Sequence, residues 1–348
     1  MKVVIIGANG FIGHTLTAHI LATTGWSVTA IDRNDDRLRP LFGHQRLDFA
    51  HMDIRNSHPR IERLVAAADV VLPLAAYARP ADYVRDPLAI FELDFEENLH
   101  IVRAAERHGT RIVFPSTSEV YGMCPDAAFN EDRSPLVLGP IAKERWIYSC
   151  SKQLLDRVIW AMGGRGLRFT LFRPFNWFGP GLDDIADAAP GSARVVTQFM
   201  GHLLRGEPLQ LVDGGHQRRA FTYIDDGIAA LMRILVNENG AADGRIFNIG
   251  NPANDRSIRD LATLMIDVIA GFPGYADLAE TATIVETPGS TYYGSAYQDV
   301  DHRQPDIAAA TRWLDWAPQV GLREGLRHMA NHYIKRTVPA KLFDEAVP

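Results

Sequence analysis

Two short runs of this chain contain residues that could together oxidise a hydroxyl group. Tyr148 and Lys152 are four residues apart on a helix predicted over residues 147–161, so their side chains project from the same face. A phenol with a pKa of about 10 is a poor base at neutral pH, but an adjacent ammonium group favours the phenolate. Tyr148 can then accept a hydroxyl proton while Thr117 hydrogen-bonds the developing ketone oxygen. Glu119 adds a carboxylate that this oxidation alone does not require, and its presence therefore limits the range of reactions that the site could catalyse.

A glycine-rich turn near the N-terminus predicts a site for a dinucleotide cofactor. Residues 2–6 form a β-branched run without alternation, as expected of a strand buried on both faces of a parallel sheet. Gly7, Gly10 and Gly13 follow at once, and apolar residues then recur at helical spacing over residues 15–21. Glycines let a pyrophosphate approach the helix N-terminus, where free amides and the helix dipole favour negative charge.

The ends of the next two strands favour NAD as that cofactor. The strand over residues 27–31 leads into Asp32, placed where a carboxylate hydrogen-bonds the adenosine ribose and repels the 2′-phosphate of NADP. Arg33 would suit NADP, but the carboxylate at the strand end favours NAD. Asp53, which we place at the end of the following strand, could reach the adenine amino group or act as an ordinary strand-end cap. The residues expected to contact NAD are Gly7, Gly10, Phe11, Ile12, Gly13, Asp32, Asp53, Ile54, Ala75, Tyr148 and Lys152.

Strands and helices alternate along the chain. Further strands are predicted over residues 69–74 and 111–114, a helical stretch over 87–108, and a return to the sheet near 246–250. This alternation predicts an α/β fold with a Rossmann-type doubly wound parallel sheet, whose ligands bind at the carboxyl ends of the strands. Residues 116–119 fall at such an end and should face the nicotinamide half of the cofactor.

The chain is long enough for two unequal domains. We expect an NAD-binding domain of residues 1–175 plus about 221–252, and a smaller, discontinuous α/β substrate-binding domain of about 176–220 plus 253–348.

Composition excludes several classes of function. The formal net charge of -6 argues against general nucleic-acid binding. Cys124 and Cys150 are the only cysteines and show no metal-ligand spacing, so we expect neither a disulfide framework nor a metal site, and a cytoplasmic location fits best. The apolar N-terminal run is too short for a signal peptide, and no stretch approaches about 20 apolar residues, so we expect no membrane insertion.

The chain resembles the extended short-chain dehydrogenases/reductases that act on nucleotide sugars, the NAD-dependent epimerase/dehydratase family. Within that family it is similar to the UDP-glucuronate oxidative decarboxylase domain of the bifunctional polymyxin-resistance enzymes that make aminoarabinose precursors. The resemblance covers nearly the whole chain, and its most specific stretches are residues 91–98, 115–123, 145–148, 152–160, 172–177 and 297–300. The chain begins directly at the dinucleotide fold, without the formyltransferase segment usually fused to that domain, so we do not expect the polymyxin pathway itself from this resemblance.

The resemblance implies a reaction and a set of residues for it. Oxidation of C4 of UDP-glucuronate gives a β-keto acid, and loss of CO2 leaves an enolate whose charge on O4 Tyr148 and Thr117 can stabilise. Glu119 is implied as an acid/base and Arg303 as the proton donor or the group that handles the carboxylate. The catalytic residues are therefore Thr117, Ser118, Glu119, Tyr148, Lys152 and Arg303. Contacts to the UDP-sugar are expected from Ala78, Tyr83, Thr117, Ser118, Arg145, Asn176, Arg194, Gln210, Arg218, Arg219 and Tyr297, with the stretch 210–219 as a long loop.

Relatives with other reactions remain as alternatives. The 4,6-dehydratases carry Asp-Glu where this chain has Ser118-Glu119, and the 4-epimerases usually lack the glutamate, so both fall behind decarboxylation. UDP-xylose synthases reduce the 4-keto-pentose again with the same residues, so product fate stays open. UDP-apiose/xylose synthases carry a cysteine in each motif, of which only Cys150 is matched here. A protein that senses NAD without catalysing a reaction is the alternative from another class of function.

The predicted helices over residues 87–108 and 147–161 could pair with those of a second copy, as is common in this family, so we expect a homodimer.

Overall fold

A seven-stranded parallel sheet forms the centre of the structure, a computed structural model that describes residues 1–187 and 191–337. The strands are β1 Lys2–Ile6, β2 Ser27–Asp32, β3 Leu47–His51, β4 Val70–Pro73, β5 Arg111–Pro115, β6 Phe169–Pro174, β7 Trp177–Phe178, β8 Leu209–Val212, β9 Arg218–Ala220, β10 Thr222–Tyr223, β11 Arg245–Ile249, β12 Asp255–Ser257, β13 Ile284–Thr287 and β14 His302–Arg303. The order β11-β6-β5-β4-β1-β2-β3 is the Rossmann order extended by one strand, with every neighbouring pair parallel. The expected fold class is confirmed.

Helices cover both faces of this sheet. The α-helices of the described residues, including those outside the sheet's two layers, are α1 Phe11–Thr23, α2 His58–Ala66, α3 Pro80–Arg85, α4 Pro87–Phe91, α5 Asn98–His108, α6 Trp146–Gly163, α7 Val195–Arg205, α8 Ile224–Val236, α9 Ile258–Ala270, α10 Ala276–Glu280, α11 Gly289–Tyr292, α12 Ala308–Leu314 and α13 Leu322–Thr337. Along β1, Val3 and Ile5 pack into one apolar cluster, and Val4 and Ile6 pack into another. Burial on both faces is why these strands are continuously apolar rather than alternating.

Two elements differ locally from the sequence-based prediction. Asp53 and Ile54 lie beyond the end of β3, and Asp53 caps a 3-10 turn over Ile54–Asn56. The helix expected over residues 87–108 consists of α4, a π-helical segment Glu92–Glu97 and α5. The π segment widens the helix in the middle of a stretch whose ends are ordinary α-helix.

The region expected to bind the substrate contains three small sheets. β13 pairs with β8, β9 lies between β12 and β14, and β10 pairs with β7. The stretch 210–219, expected as a loop, is strand β8, a 3-10 turn Asp213–Gly215 and strand β9. Residues 188–190 and 338–348 of the expected substrate domain lie outside the described residues.

Candidate active site

A cavity of about 810 Å³ runs along the carboxyl ends of the strands, from the glycine turn to Arg303. All the residues expected to contact NAD lie on its wall. So do the expected catalytic residues Thr117, Ser118, Glu119, Tyr148, Lys152 and Arg303. The expected substrate contacts found there are Ala78, Tyr83, Asn176, Arg194, Gln210, Arg219 and Tyr297, together with Thr117 and Ser118.

The glycine turn forms a cradle that side chains would fill. Gly7 has φ +82°, and a Cβ there would lie 2.7 Å from the backbone nitrogen of Ala75. A Cβ on Gly13 would lie 2.4 Å from the carbonyl oxygen of Gly7. Gly10, at the cavity wall, directly precedes the first turn of α1. The backbone N–H groups of residues 7–10 are bonded within the protein, so the free amides here are those of the first turn of α1, whose N-terminus suits the pyrophosphate of NAD.

Carboxylates line the adenosine end of the cavity. Asp32, at the end of β2, accepts the backbone N–H of Asn9 at 2.9 Å and that of Asn34 at 3.1 Å. Asp36 accepts the side-chain amide of Asn9 at 2.7 Å, so a second carboxylate lies beside the first. The sequence analysis did not single out Asp36, because its proximity to the turn depends on the fold of the loop after β2.

Asp53 is engaged with its own turn. Its carboxylate accepts hydrogen bonds from the guanidinium of Arg55, the shortest at 2.6 Å, and from the Arg55 backbone N–H at 3.0 Å. The side-chain hydrogen bond from Arg55 lowers the pKa of Asp53. Asp53 thus makes the contacts of a capping residue, the second of the two roles expected from the sequence, and it also lines the cavity.

Tyr148, Thr117 and Lys152 meet at the end of β5. Thr117 caps the turn Ser118–Tyr121 by accepting the backbone N–H of Glu119 at 3.2 Å. The ring of Tyr148 stacks on that of Tyr83 with centroids 4.5 Å apart. Lys152 lies on the same face of α6 as Tyr148, with Nζ 6.0 Å from the centre of the Tyr148 ring and hydrogen-bonded to the carbonyl of Pro115 at 3.3 Å.

The surroundings of Tyr148 oppose the phenolate that Lys152 alone was expected to favour. Burial raises the pKa of Tyr148 well above its ordinary value, and the carboxylate of Asp94 raises it further, while the hydrogen bond with Thr117 lowers it. Asp94 lies 3.3 Å from Lys152 Nζ and offsets the ammonium charge that was expected to favour the phenolate. The sequence analysis gave Asp94 no role, since no local pattern shows that it reaches Lys152.

Glu119 is held between two arginines. Its oxygens accept Arg145 at 2.6 Å and Arg303 at 2.7 Å. Burial alone would raise the pKa of Glu119, but the two guanidinium groups outweigh it and lower the pKa to about 2. Glu119 is therefore an ionised carboxylate at neutral pH and can act as a base or a charge partner, not as a proton donor.

Two expected substrate contacts occupy other positions. Arg145 lies behind Glu119 with 1% of its side chain exposed, packed near the rings of Trp146 and Tyr297, so its guanidinium presents no surface to a substrate. Arg218 points out of the small sheet and pairs with Asp255 at 2.7 Å. The reason is strand alternation: on β9 the side chain of Arg219 faces inward and that of Arg218 faces solvent.

Two further arginines on the wall are paired with carboxylates. Arg219 contacts Asp299 at 2.6 Å and the carbonyl of Val300 at 2.7 Å. Arg194 pairs with Asp183 at 2.8 Å just before α7. Arg194 is thus in place as an anion ligand, with part of its charge offset.

Aromatic and polar side chains close the sugar end. Tyr297 stacks on Tyr293 with ring centroids 4.1 Å apart, and both line the cavity. Asn176 adopts a left-handed backbone, with φ 43°, in the turn between β6 and β7. Gln210 reaches the cavity from β8. The sequence analysis missed Tyr293, although the pattern of tyrosines at 292, 293 and 297 was visible.

Residues 1–187 and 191–337 contain neither a metal cluster nor a membrane-spanning helix. No group of three or more His, Cys, Asp or Glu side chains could hold a metal ion. None of the helices in those ranges is both long enough and apolar enough to cross a bilayer.

Comparison with known proteins places the chain in a family. The pattern of the NAD dependent epimerase/dehydratase family matches residues 3–250. The crystallised PbgP3 protein of Burkholderia pseudomallei is 54% identical, with a TM-score of 0.86 over 95% of this chain and 96% of that one. UDP-glucuronic acid 4-epimerase of Bacillus cereus, crystallised with UDP-glucuronic acid and NAD, is 24% identical, with a TM-score of 0.79 over 97% of this chain and 100% of that one. DesIV, a dTDP-glucose 4,6-dehydratase of Streptomyces venezuelae crystallised with NAD, is 23% identical, with a TM-score of 0.80 over 96% and 97%.

The last two likenesses concern the fold, whereas the family match spans most of the chain and includes the glycine turn, Tyr148 and Lys152. The wall described above also has a glycine turn at the N-terminus of α1 and a carboxylate at the end of β2, as NAD sites commonly do. The chain therefore belongs to the NAD-dependent epimerase/dehydratase family, and NAD is its cofactor.

Proposed function

We propose that this chain oxidises C4 of UDP-glucuronate and then releases the C6 carboxylate as CO2, giving a UDP-4-keto-pentose. The observation that carries the proposal is the cluster of Arg145, Glu119 and Arg303 beside Thr117 and Tyr148. This cluster supplies one carboxylate and a guanidinium on the cavity wall, where a dehydratase has two acids.

The charge at the sugar end fits an acidic sugar. The guanidiniums of Arg145, Arg303 and Arg219 face two carboxylates, Glu119 and Asp299, which leaves an excess of one positive charge. A sugar carboxylate beside Arg303 would neutralise this excess. The diphosphate of any UDP-sugar is also negative, so the excess supports an anionic ligand at this site, and a uronate is one that fits.

The oxidation step is assigned to Tyr148, Thr117 and Lys152. When bound, NAD supplies the acceptor for the hydride from C4. Tyr148 takes the proton of the C4 hydroxyl, and Thr117, whose hydroxyl bonds with that of Tyr148, donates to the oxygen as it becomes a ketone. Lys152 holds the ribose next to the reacting carbon. The positive charge of the oxidised cofactor also favours the phenolate, whose pKa burial has raised.

The decarboxylation step follows from the ketone. The C5–C6 bond breaks, CO2 leaves, and the bonding electron pair moves through C5 and C4 onto O4, where Tyr148 and Thr117 can stabilise it. A proton must then reach C5. Glu119 is ionised and a guanidinium does not give up its proton near neutral pH, so we assign this proton to water. Glu119 then serves to hold Arg303 against the departing carboxylate.

A single assay tests the proposal. When the protein is incubated with NAD and UDP-glucuronate, we expect each turnover to release one CO2 and one UDP-4-keto-pentose or UDP-xylose. NADH absorbance, trapped CO2 and NMR of the product measure the outcome. Stoichiometric NADH with the ketone indicates release, and UDP-xylose without net NADH indicates a second reduction. Absence of CO2 from UDP-glucuronate, in protein that binds NAD, would refute the proposal.

Choice of cofactor gives a second prediction. Asp32→Asn is expected to weaken NAD binding roughly tenfold, because a charge-assisted hydrogen bond to the adenosine ribose is lost. It should also reduce the preference for NAD over NADP, since less negative charge then repels the 2′-phosphate. Titration of both nucleotides by protein fluorescence measures this, with Asp48→Asn on the neighbouring β3 as a control for loss of a surface charge. An unchanged ratio of the two affinities would show that Asp32 does not discriminate.

Other products receive less support. Cys150 is exposed on α6 rather than on the cavity wall, and Ser118 stands in the other cysteine position, which disfavours apiose formation. A non-catalytic NAD sensor would have no use for Thr117, Glu119 and Tyr148 together at one site.

Organisation of the protein is proposed with the function. We assign residues 1–175 plus about 221–252 to NAD, and about 176–220 plus 253–348 to the UDP-sugar. We also propose a homodimer that pairs through α4 and α6, supported by the exposed side chains of Leu88, Leu154 and Trp160. A cytoplasmic location is proposed with it.

A further inference from the structure

A buried acid lies behind the catalytic lysine. Asp94 has none of its side chain exposed and belongs to the π-helical segment Glu92–Glu97. One carboxylate oxygen accepts the backbone N–H of Tyr77 at 3.1 Å. The other, Oδ1, lies 3.3 Å from Lys152 Nζ and has no hydrogen-bond partner within residues 1–187 and 191–337. A buried oxygen of this kind has a substantial desolvation cost unless a charge offsets it.

The local backbone is built to bring Asp94 to this position. α4 and α5 continue on either side of the π segment, which adds a wider turn at one point. Just beyond it, Asn98 donates to the carbonyls of Ala75 and Leu93, which fixes the widened turn against the end of β4. Such π turns occur often at functional positions in helices. Hydrogen bonds to the end of β4 therefore hold the π turn in place, and the turn carries Asp94 next to Lys152.

Lys152 has few other groups to compensate its charge. Its side chain is 1% exposed, with Nζ hydrogen-bonded to the carbonyl of Pro115 at 3.3 Å and 5.1 Å from the centre of the Phe114 ring. A buried ammonium group without an acid beside it loses its proton readily. Burial raises the pKa of Asp94 to about 6, and Lys152 opposes that rise, so Asp94 is ionised at neutral pH.

We propose that Asp94 is a positioning residue that pairs with the Lys152 ammonium group and keeps it directed to the cofactor's ribose. Its effect on NAD rests on this chain's family, and its effect on turnover rests on the proposed function. Asp94 itself need not touch either ligand.

The direction of its effect on pH dependence follows from its charge. Removing a negative charge makes a neighbouring ammonium group easier to deprotonate, and it lowers the pKa of a neighbouring phenol. In the variant, both the acidic and the basic limb of the pH profile of kcat/KM should therefore move to lower pH. The other charged or titratable groups that face this cluster stay in place, and they are Tyr83 on α3, Glu119 after β5, Asp156 on α6 and Arg194 before α7.

Asp94→Asn tests the proposal, since it preserves shape and removes charge. The affinity for NAD, measured by fluorescence between pH 6 and 10, should begin to fall at least about one pH unit lower than in the unaltered protein. With UDP-glucuronate, kcat should fall tenfold or more at pH 8, KM should change less than about threefold, and both limbs of kcat/KM should shift to lower pH. Asp94→Glu, which retains the charge, should leave the limbs near their original positions.

A matched control separates this role from a structural one. Asp226 on α8 is also buried and accepts two backbone N–H groups, from Gln319 and Val320, far from the cavity wall. Asp226→Asn should lower Tm without moving either limb. If Asp94→Asn lowers rates at every pH while its limbs stay in place, Asp94 is merely structural and the proposal fails. If Asp94→Asn does not fold, Asp94→Ser takes its place in the same comparison.

The NAD profile keeps the two proposals distinct. Unaltered protein that is inactive on UDP-glucuronate would refute the proposed function, while the NAD titrations of the Asp94 variants still decide the role of Asp94. Active protein whose Asp94→Asn variant binds NAD with an unshifted pH profile would refute the role of Asp94 alone.

Discussion

Glu119→Gln is expected to slow CO2 release from UDP-glucuronate by about 10²- to 10³-fold, while NAD affinity changes less than about twofold. The carboxylate orients Arg303 through a 2.7 Å contact, and Glu119 is not among the residues expected to contact NAD. Hydride transfer depends on Tyr148 rather than Glu119, so NADH should still form on the protein. Rapid mixing that records NADH absorbance and trapped CO2 together measures both steps.

The same change should also destabilise the fold. It leaves the buried guanidinium groups of Arg145 and Arg303 without their shared carboxylate, and breaking a buried ion pair typically costs about 3–5 kcal/mol. Arg145→Met in the Glu119→Gln background removes one of the unpaired charges, so Tm should rise again. CO2 release should remain slow in the double variant. Recovery of CO2 release along with Tm would show that Glu119 matters only for stability.

The parts of the fold that could be predicted depend on local sequence. The apolar run before Gly7 predicts a strand buried on both faces, and the spacing of the glycines predicts the turn into α1. Each of these patterns involves only residues that are neighbours in the sequence. The helix carrying Tyr148 and Lys152 was placed within two residues of its ends, because its apolar spacing is regular. In contrast, the π segment before α5 has no comparable pattern in sequence.

The electrostatics of the site could not be predicted, because they depend on distant partners. Arg303 is 184 residues from Glu119, and no motif indicates that Arg145 would lie behind the carboxylate rather than on the cavity wall. The influence of Asp94 on Tyr148 could not be predicted for the same reason, since Asp94 approaches Lys152 only in the folded chain. The position of Arg218 could have been predicted from local sequence. If residues 218–220 had been treated as a strand, the alternation of side chains would have put Arg218 and Arg219 on opposite faces, only one of which can face the cavity.

Tyr148→Phe is expected to abolish turnover, with NADH formation lowered about 10³-fold or more while NAD still binds. Only the hydroxyl is removed, so the ring keeps its stack on Tyr83 at 4.5 Å and the shape of the site is preserved. Single-turnover NADH absorbance with excess UDP-glucuronate measures the loss. Tyr223→Phe, which removes a buried hydroxyl on β10 away from the cavity wall, should retain most of the activity.

The two substitutions should differ in how they couple NADH to CO2. The β-keto acid forms only by oxidation of C4, so Tyr148→Phe must lower NADH formation and CO2 release by the same factor. Glu119→Gln acts after oxidation, so NADH should appear on the protein well before CO2. If Glu119→Gln instead lowers both in parallel, Glu119 takes part in hydride transfer or in binding, and the decarboxylation step needs another residue. If Tyr148→Phe keeps a tenth of the NADH rate, a different group accepts the C4 proton.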